Sequence, residues 1–256
     1  MIAFLGMYDL PELQQHNDTF WQTIRTKLGF GPAQLTRAED PWPVWQSPGL
    51  LFAQTCGYPY RAKLHGLVNL VGTPDYGLPG CPPGYYRSVL VQRRAAHIDW
   101  RETREIPRFA YNEALSQSGW AAPVHWLLSQ NIHINQTIPT GAHAASARAV
   151  ADDRADLAGI DALTWVLLTE YDPELAAQLE VVAETEPTPG LPYITSSTQD
   201  PEHLFAAVRD AIKGLAPETR AALHLNGLVR IAAKDYLAVN TPPAPIQFDT
   251  SAGILG

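Results

Sequence analysis

"ALSQSGWAAPVHWLL", residues 114–128, decides how this chain is read. A polar cluster, Ser116-Gln117-Ser118-Gly119, stands directly ahead of an apolar run with helical character. Small hydroxyls and a glycine at that point can simply cap the helix, a contribution of about 1 kcal/mol. They can also leave first-turn N–H groups aimed at a ligand. Those groups have no intrahelical partner, and the macrodipole places roughly half a positive charge on them. A carboxylate, phosphate or phosphonate fits such a place without lysine or arginine. Ser116 and Ser118 would add hydroxyl donors around Gln117, and Gly119 would let the anion approach the backbone. Taken alone, the cluster favours the cap.

Its neighbours repeat the arrangement. "RFAYN" reads as a strand feeding the cluster, and "IHINQTIPTG" as a strand and turn. "AHAASARAVADD" is rich in alanine, a strong helix former. "ADLAGID" reads as a strand ending at Asp161, before the helix "ALTWVLLTEY". His143, in "GAH", and Asp161 therefore stand at two further strand-to-helix junctions, the edge at which α/β sheets collect ligands. Singly, His143 reads as a surface or capping histidine and Asp161 as an N-cap. Together with Ser116–Gly119 they mark one edge.

Outward from this region the alternation continues. Ile2–Met7 reads as a strand, and Pro11 opens a helix that points Leu13, Trp21, Ile24 and Leu28 inward and stops at Gly29. "LLFAQT" and "LVNLVGTP" are apolar strands, "YYRSVLVQR" and "QLEVVAETEPTPG" two more, and 201–213 and 217–237 two closing helices. The pattern predicts an α/β protein with mostly parallel sheets flanked by helices. Breaker clusters at 74–84 and 186–192 divide it. If the chain crosses there, residues 1–84 with 186–256 form one lobe and 85–185 the other, joined by two strands as a hinge. A cleft between lobes suits a small ligand. The tail "TPPAPIQFDTSAGILG" reads as an extended terminus.

Composition narrows the function classes. The 256 residues are 46% hydrophobic and 17% charged with net charge −8, an ordinary globular profile. Scattered Lys and Arg argue against nucleic acid as a partner, and no segment approaches a membrane-spanning length. The opening "MIAFLGMYDLPE" lacks the features of a secretory signal, which predicts a cytoplasmic protein as written and a periplasmic one if a leader has been removed. Cys56 and Cys81 are too few for a disulfide scaffold and lack metal-pair spacing. Neither a metal nor a cofactor is expected.

"NEALSQSGW", "GAHAASARAVADDRADLAGID" and the return "TEPTPGLPYI" resemble the substrate-binding proteins of phosphonate, phosphite and phosphate ABC importers, within the class of type 2 periplasmic binding proteins. The resemblance implies a two-lobed Venus-flytrap that closes on a small anionic or zwitterionic ligand and passes it to an ABC permease. It implies that Ser116, Ser118 and the N–H of Gly119, beside Gln117, hold the ligand's oxygens. His143 is then a second donor, and Asp161 receives an amine in aminophosphonate binders. Tyr8 and the turn with Thr55 and Tyr58 are the contributions expected from the other lobe, and Trp120 a wall of the cleft. No arginine occupies the matched positions, which implies a weakly charged anion or a zwitterion.

Two other classes compete. A cytoplasmic sensor would use the same cleft. An enzyme would use Cys56 as nucleophile with a histidine base, or follow the thiamine-pyrimidine synthases that share the general fold. Nothing ties a particular histidine to Cys56, and "SQSGW" lacks the leading glycine of a serine-hydrolase elbow.

Overall fold

The computed structural model describes residues 1–245. The expectation for the end of the tail, from residue 246 on, lies outside the described residues. The chain divides into two units, Met1–Tyr85 with Pro189–Ala238, and Tyr86–Thr188 with the segment from Val239.

In chain order the first unit begins with strands β1 (Ile2–Phe4), β2 (Leu50–Gln54) and β3 (Val68–Asp75). The chain then passes through β4 (Tyr85–Tyr86) into β5 (Ser88–Arg93), β6 (Glu105–Tyr111), β7 (His133–Pro139), β8 (Leu157–Asp161) and β9 (Leu179–Glu184). It returns through β10 (Thr188–Pro189) to β11 (Tyr193–Ser196) and β12 (Gly227–Val229). One five-stranded sheet has the order β1-β2-β11-β3-β12, the other β7-β6-β8-β5-β9.

The α/β class holds, but the sheets are mixed rather than mostly parallel. β1 with β2, and β6 with both β7 and β8, run parallel. β11 is antiparallel to β2 and β3, β12 to β3, and β5 to β8 and β9. Parallel neighbours need a crossover, usually a helix. β5 and β11 enter their sheets straight from the passages at β4 and β10, with no helix between, and run against their neighbours. Residues 217–237 are likewise not one helix. Short helices at Pro217–Ala222 and Ala233–Leu237 flank β12, where Asn226-Gly227 breaks the helix and Leu228-Val229 extends along β3.

In the first unit, the helix Gln14–Leu28 buries Phe20, Trp21, Ile24 and Leu28, and the Trp21 ring stacks on Phe52 of β2 at 6.1 Å. A further cluster of this unit buries Trp45, Tyr60, Leu64 and Tyr236 against Phe4, Leu50 and Ile194. The Tyr236 hydroxyl donates to the Gly190 carbonyl at 3.0 Å and lies 2.6 Å from Thr73 Oγ1, which ties the last helix of this unit to β3.

In the second unit, Phe109, Tyr111, Trp120, Val124, Leu127 and Leu157 form the centre of the core. Trp120 is fully buried, with Tyr111 at 5.0 Å and Phe109 at 6.2 Å between ring centroids. Its indole Nε1–H donates to the Pro243 carbonyl at 3.0 Å. The expected wall of a cleft is therefore a core residue that fastens the segment after Ala238 to this unit, although the sequence had grouped that segment with the first lobe. The reason is local. Trp120 follows the Ser-x-Ser-Gly turn by one residue, and the helical rotation turns its ring onto the sheet. Trp120→Ala should lower unfolding free energy by about 3–5 kcal/mol, the usual cost of deleting a buried tryptophan. Denaturant unfolding monitored by circular dichroism would measure it.

Candidate functional site

The parallel strands β6, β7 and β8 end at one edge of the second sheet, with Tyr111 paired to Pro139 and Asp161 across from Ser88. A helix starts after each. The first opens with a wide turn, Gln117–Ala121, continuing as Ala122–Ser129; the others are His143–Ala151 and Ala162–Tyr171.

Ser116 stands at the N-cap of the first, where its Oγ accepts from the Gly119 N–H at 2.9 Å. The carbonyl of Ser116 then accepts from the N–H groups of Trp120 and Ala121. The capping alternative is thus realised for Ser116, and the Gly119 N–H is engaged by that cap. Ser118 has a different partner. Its Oγ lies 3.0 Å from Nε2 of His143, the first residue of the second helix, so the two junctions meet through side chains. Gln117 is buried within the same turn.

The meeting depends on glycine. A Cβ on Gly159 of β8 would lie 2.4 Å from Pro123 Cγ and 3.1 Å from the Gly119 carbonyl oxygen. A Cβ on Gly119 would lie 1.8 Å from Asn112 Oδ1. Helix start, strand and the loop after β6 are therefore pressed together at a spacing that only bare backbone permits. Asn112 also accepts the Gly141 N–H at its carbonyl, at 2.9 Å, and so braces the turn that carries His143. Sequence reasoning missed Asn112 and Gly159. The first closes "RFAYN", the second sits inside the strand "ADLAGID", and no spacing rule points to either.

Burial pushes the His143 imidazole down to about 4, against the opposing pull of the Gly159 carbonyl. Its Nδ1 is enclosed with no partner in hydrogen-bonding geometry. At neutral pH the ring is uncharged, so this corner offers neutral donors and helix N-termini rather than a cation. Asp161 is buried, and one of its carboxylate oxygens accepts from the Thr164 N–H at 2.9 Å as the N-cap of the third helix.

The remaining expected residues lie in the first unit. Tyr8 ends a 3-10 turn after β1, its carbonyl accepting from Asn17 and its ring edge-on to Tyr76 at 5.5 Å. Thr55 follows β2 and is fully buried, with no hydrogen-bond partner for its Oγ1. Tyr58 is buried beneath the Arg61 guanidinium, 4.2 Å from the ring centroid. The structure brings Ser116–Gly119, His143 and Asp161 to one edge of one sheet, while these three belong to the other unit. Cys56 is buried, and both it and Cys81 are free thiols. Among the described residues no group of three His, Cys, Asp or Glu could hold a metal ion, and no helix is long and apolar enough to cross a membrane.

Residues 50–236 match a family model described as the periplasmic substrate-binding protein of a phosphonate ABC transporter. A binding-protein component of an ABC phosphonate transporter from Pseudomonas aeruginosa superposes with a TM-score of 0.71 at 20% identity, over 92% of this chain and 82% of that one. A PhnD1 protein from Prochlorococcus marinus, solved with methylphosphonate, gives 0.74 at 12% identity over 92% and 94%. A Xanthomonas citri protein bound to ATP gives 0.67 at 15% identity over 92% and 94%. At these identities the likeness establishes the shared two-lobed fold. Among curated protein sequences, none matches the chain.

Two outcomes follow from this geometry. Because the folded His143 pKa lies below its unfolded value near 6.5, the unfolded chain binds more protons between the two. The contribution of neutral His143 should therefore be complete above about pH 6.5 and fall away toward pH 4, a slope that His143→Asn removes. Denaturation midpoints across that range would show it. Gly159→Ala should cost about 1–3 kcal/mol by overpacking, and should broaden or shift the His143 ring resonances in the folded protein.

Proposed function

This chain belongs to the family of periplasmic phosphonate-binding proteins of ABC transporters, and from that membership we propose that its second unit holds a phosphonate-like oxyanion at Ser118 and His143. It is a solute-binding protein rather than an enzyme, and its partners are a small ligand and the transporter it serves. The observation that carries the site assignment is the 3.0 Å approach of Ser118 Oγ to His143 Nε2, which joins two helix starts at one sheet edge.

An oxyanion there draws on the Ser118 hydroxyl, a His143 N–H and the first-turn N–H groups, all without net charge. The Gly119 N–H reaches a ligand only by leaving Ser116 Oγ, so Ser116 acts first as the residue that shapes the turn. Asn112, packed on Gly119, joins the proposed ligand shell as the residue that sets how closely the chain approaches. Asp161 keeps a carboxylate at the same edge, which opposes a second negative charge and favours a ligand with an ammonium group. The reading therefore favours an aminoalkylphosphonate, a zwitterion, over inorganic phosphate. Tyr8, Thr55 and Tyr58 rest on resemblance alone, and the reading does not depend on them.

The family's members are periplasmic, and we place this protein there as well. The cytoplasmic expectation rested on the opening residues alone, and the family supplies the stronger ground.

Calorimetric titration with 2-aminoethylphosphonate, methylphosphonate and phosphate tests the reading. A ligand at a hundred times its Kd should stabilise the protein by about 2.7 kcal/mol. Ser118→Ala removes a hydrogen bond to a charged group, about 1.5–3 kcal/mol, and should weaken binding by roughly ten- to a hundredfold. Phosphate binding more tightly than the aminophosphonate would sink the zwitterion reading, and full affinity in both Ser118→Ala and His143→Ala would sink the site.

A further inference from the structure

The chain passes between the two units a third time, at Ala238-Val239, after the paired passages at β4 and β10. Both ends of this last passage are pinned. On the near side stands Tyr236, 1% exposed, in the short helix Ala233–Leu237. Its hydroxyl donates to the Gly190 carbonyl and, with its proton so used, accepts from Thr73 Oγ1. Gly190 directly follows β10, and its N–H donates at 2.8 Å to the carbonyl of Gly84, directly ahead of β4. A Cβ on Gly190 would lie 2.6 Å from that carbonyl oxygen, so the two passages meet through bare backbone. Tyr236 therefore grips the point at which the other two passages leave the first unit.

On the far side the Pro243 carbonyl accepts from Trp120 Nε1–H at 3.0 Å. Trp120 is fully buried and belongs to the turn Gln117–Ala121, two residues after Ser118. Pro242 and Pro245, on either side of the accepting carbonyl, are buried as well. Between the pins, Leu237, Ala238, Asn240 and Thr241 are exposed. Tyr236 and Pro243 stand seven positions apart, which holds their Cα atoms within about 25 Å at about 3.3–3.6 Å per residue. The reach is shorter than that, because Ala238 keeps helical angles, φ −74° and ψ −13°. Pro242, Pro243 and Pro245 stiffen the far end toward a polyproline extension of about 3.1 Å per residue. A short tether pinned at both ends transmits a displacement that a long flexible one absorbs.

We propose that residues 237–243 form a strap that limits how far the two units can move apart and applies that limit at the turn carrying Ser118. Movement at the paired passages carries Tyr236 with it, and the strap passes it to the Trp120 ring. The backbone N–H of Trp120 donates to the Ser116 carbonyl at 3.3 Å, so the ring and the capped turn move as one piece. The strap acts without ligand and does not depend on the oxyanion reading.

Nitroxides at Lys213→Cys in the first unit and Ala177→Cys in the second, in a Cys81→Ser background, test it by double electron–electron resonance on the ligand-free protein. Both positions are exposed, and Cys56 is buried. A Gly-Gly insertion between Asn240 and Thr241 keeps both pins and lengthens the strap by about 7 Å. It should shift or broaden the distance distribution by a comparable amount. Trp120→Phe, which keeps a ring and loses the N–H, and Tyr236→Phe should each do the same by freeing one pin. Trp21→Phe is the control, because that indole also donates to a proline carbonyl, Pro32 at 3.0 Å, but within the first unit. Its loss should leave the distribution unchanged. An unchanged distribution in the insertion variant overturns the proposal. Equal broadening in Trp21→Phe overturns it too, since the effect is then a general loosening of the core.

Discussion

The second unit is organised around the close approach of Gly159 to the Pro123 ring and the Gly119 carbonyl, which leaves no room for a Cβ. A helix start held that close to a strand directs the Ser118 hydroxyl sideways along the sheet edge. The neighbouring junction then supplies His143 at hydrogen-bonding distance. Any side chain at Gly159 would push against Pro123 and lift the turn, and Asn112 closes it from the other side. Three parallel strands surround this local contact, and each delivers the start of a helix to the same sheet edge.

That geometry sets the electrostatics. The imidazole is half-buried and neutral, with its Nδ1 enclosed, the cap is a serine, and the buried Asp161 is itself an N-cap. Dipoles and neutral donors act on an anion only when they are already aimed, so such a corner depends on preorganisation more than on charge. The Ser116 cap and the tight glycine packing provide that aim. Of the two serines that the sequence offers as caps, Ser116 holds the turn and Ser118 faces His143.

Strand direction follows from a different constraint. The chain passes between units twice through two-residue strands, and each passage leads directly into a strand of the sheet it enters, with no crossover helix. β5 and β11 therefore run against their neighbours, and β11 does so at the centre of its sheet. Its four residues lie just past a proline- and glycine-rich stretch and are all buried, so no alternation marked them as a strand.

The amino-acid sequence by itself determined the α/β class, the order of most strands and helices, and the strand-end positions of Ser116–Gly119, His143 and Asp161. These are local properties, set by apolar periodicity, turn residues and caps that act within a few residues of chain. The resemblance of "NEALSQSGW" and "GAHAASARAVADDRADLAGID" to a known family added the function. Only the tertiary structure decided that Ser118 rather than Ser116 meets His143, that Trp120 belongs to the core, that Asn112 and Gly159 set the spacing, and that the sheets are mixed. Each of these depends on which side of an element faces which neighbour, and contacts between residues tens of positions apart are fixed by packing. No window of sequence contains both partners.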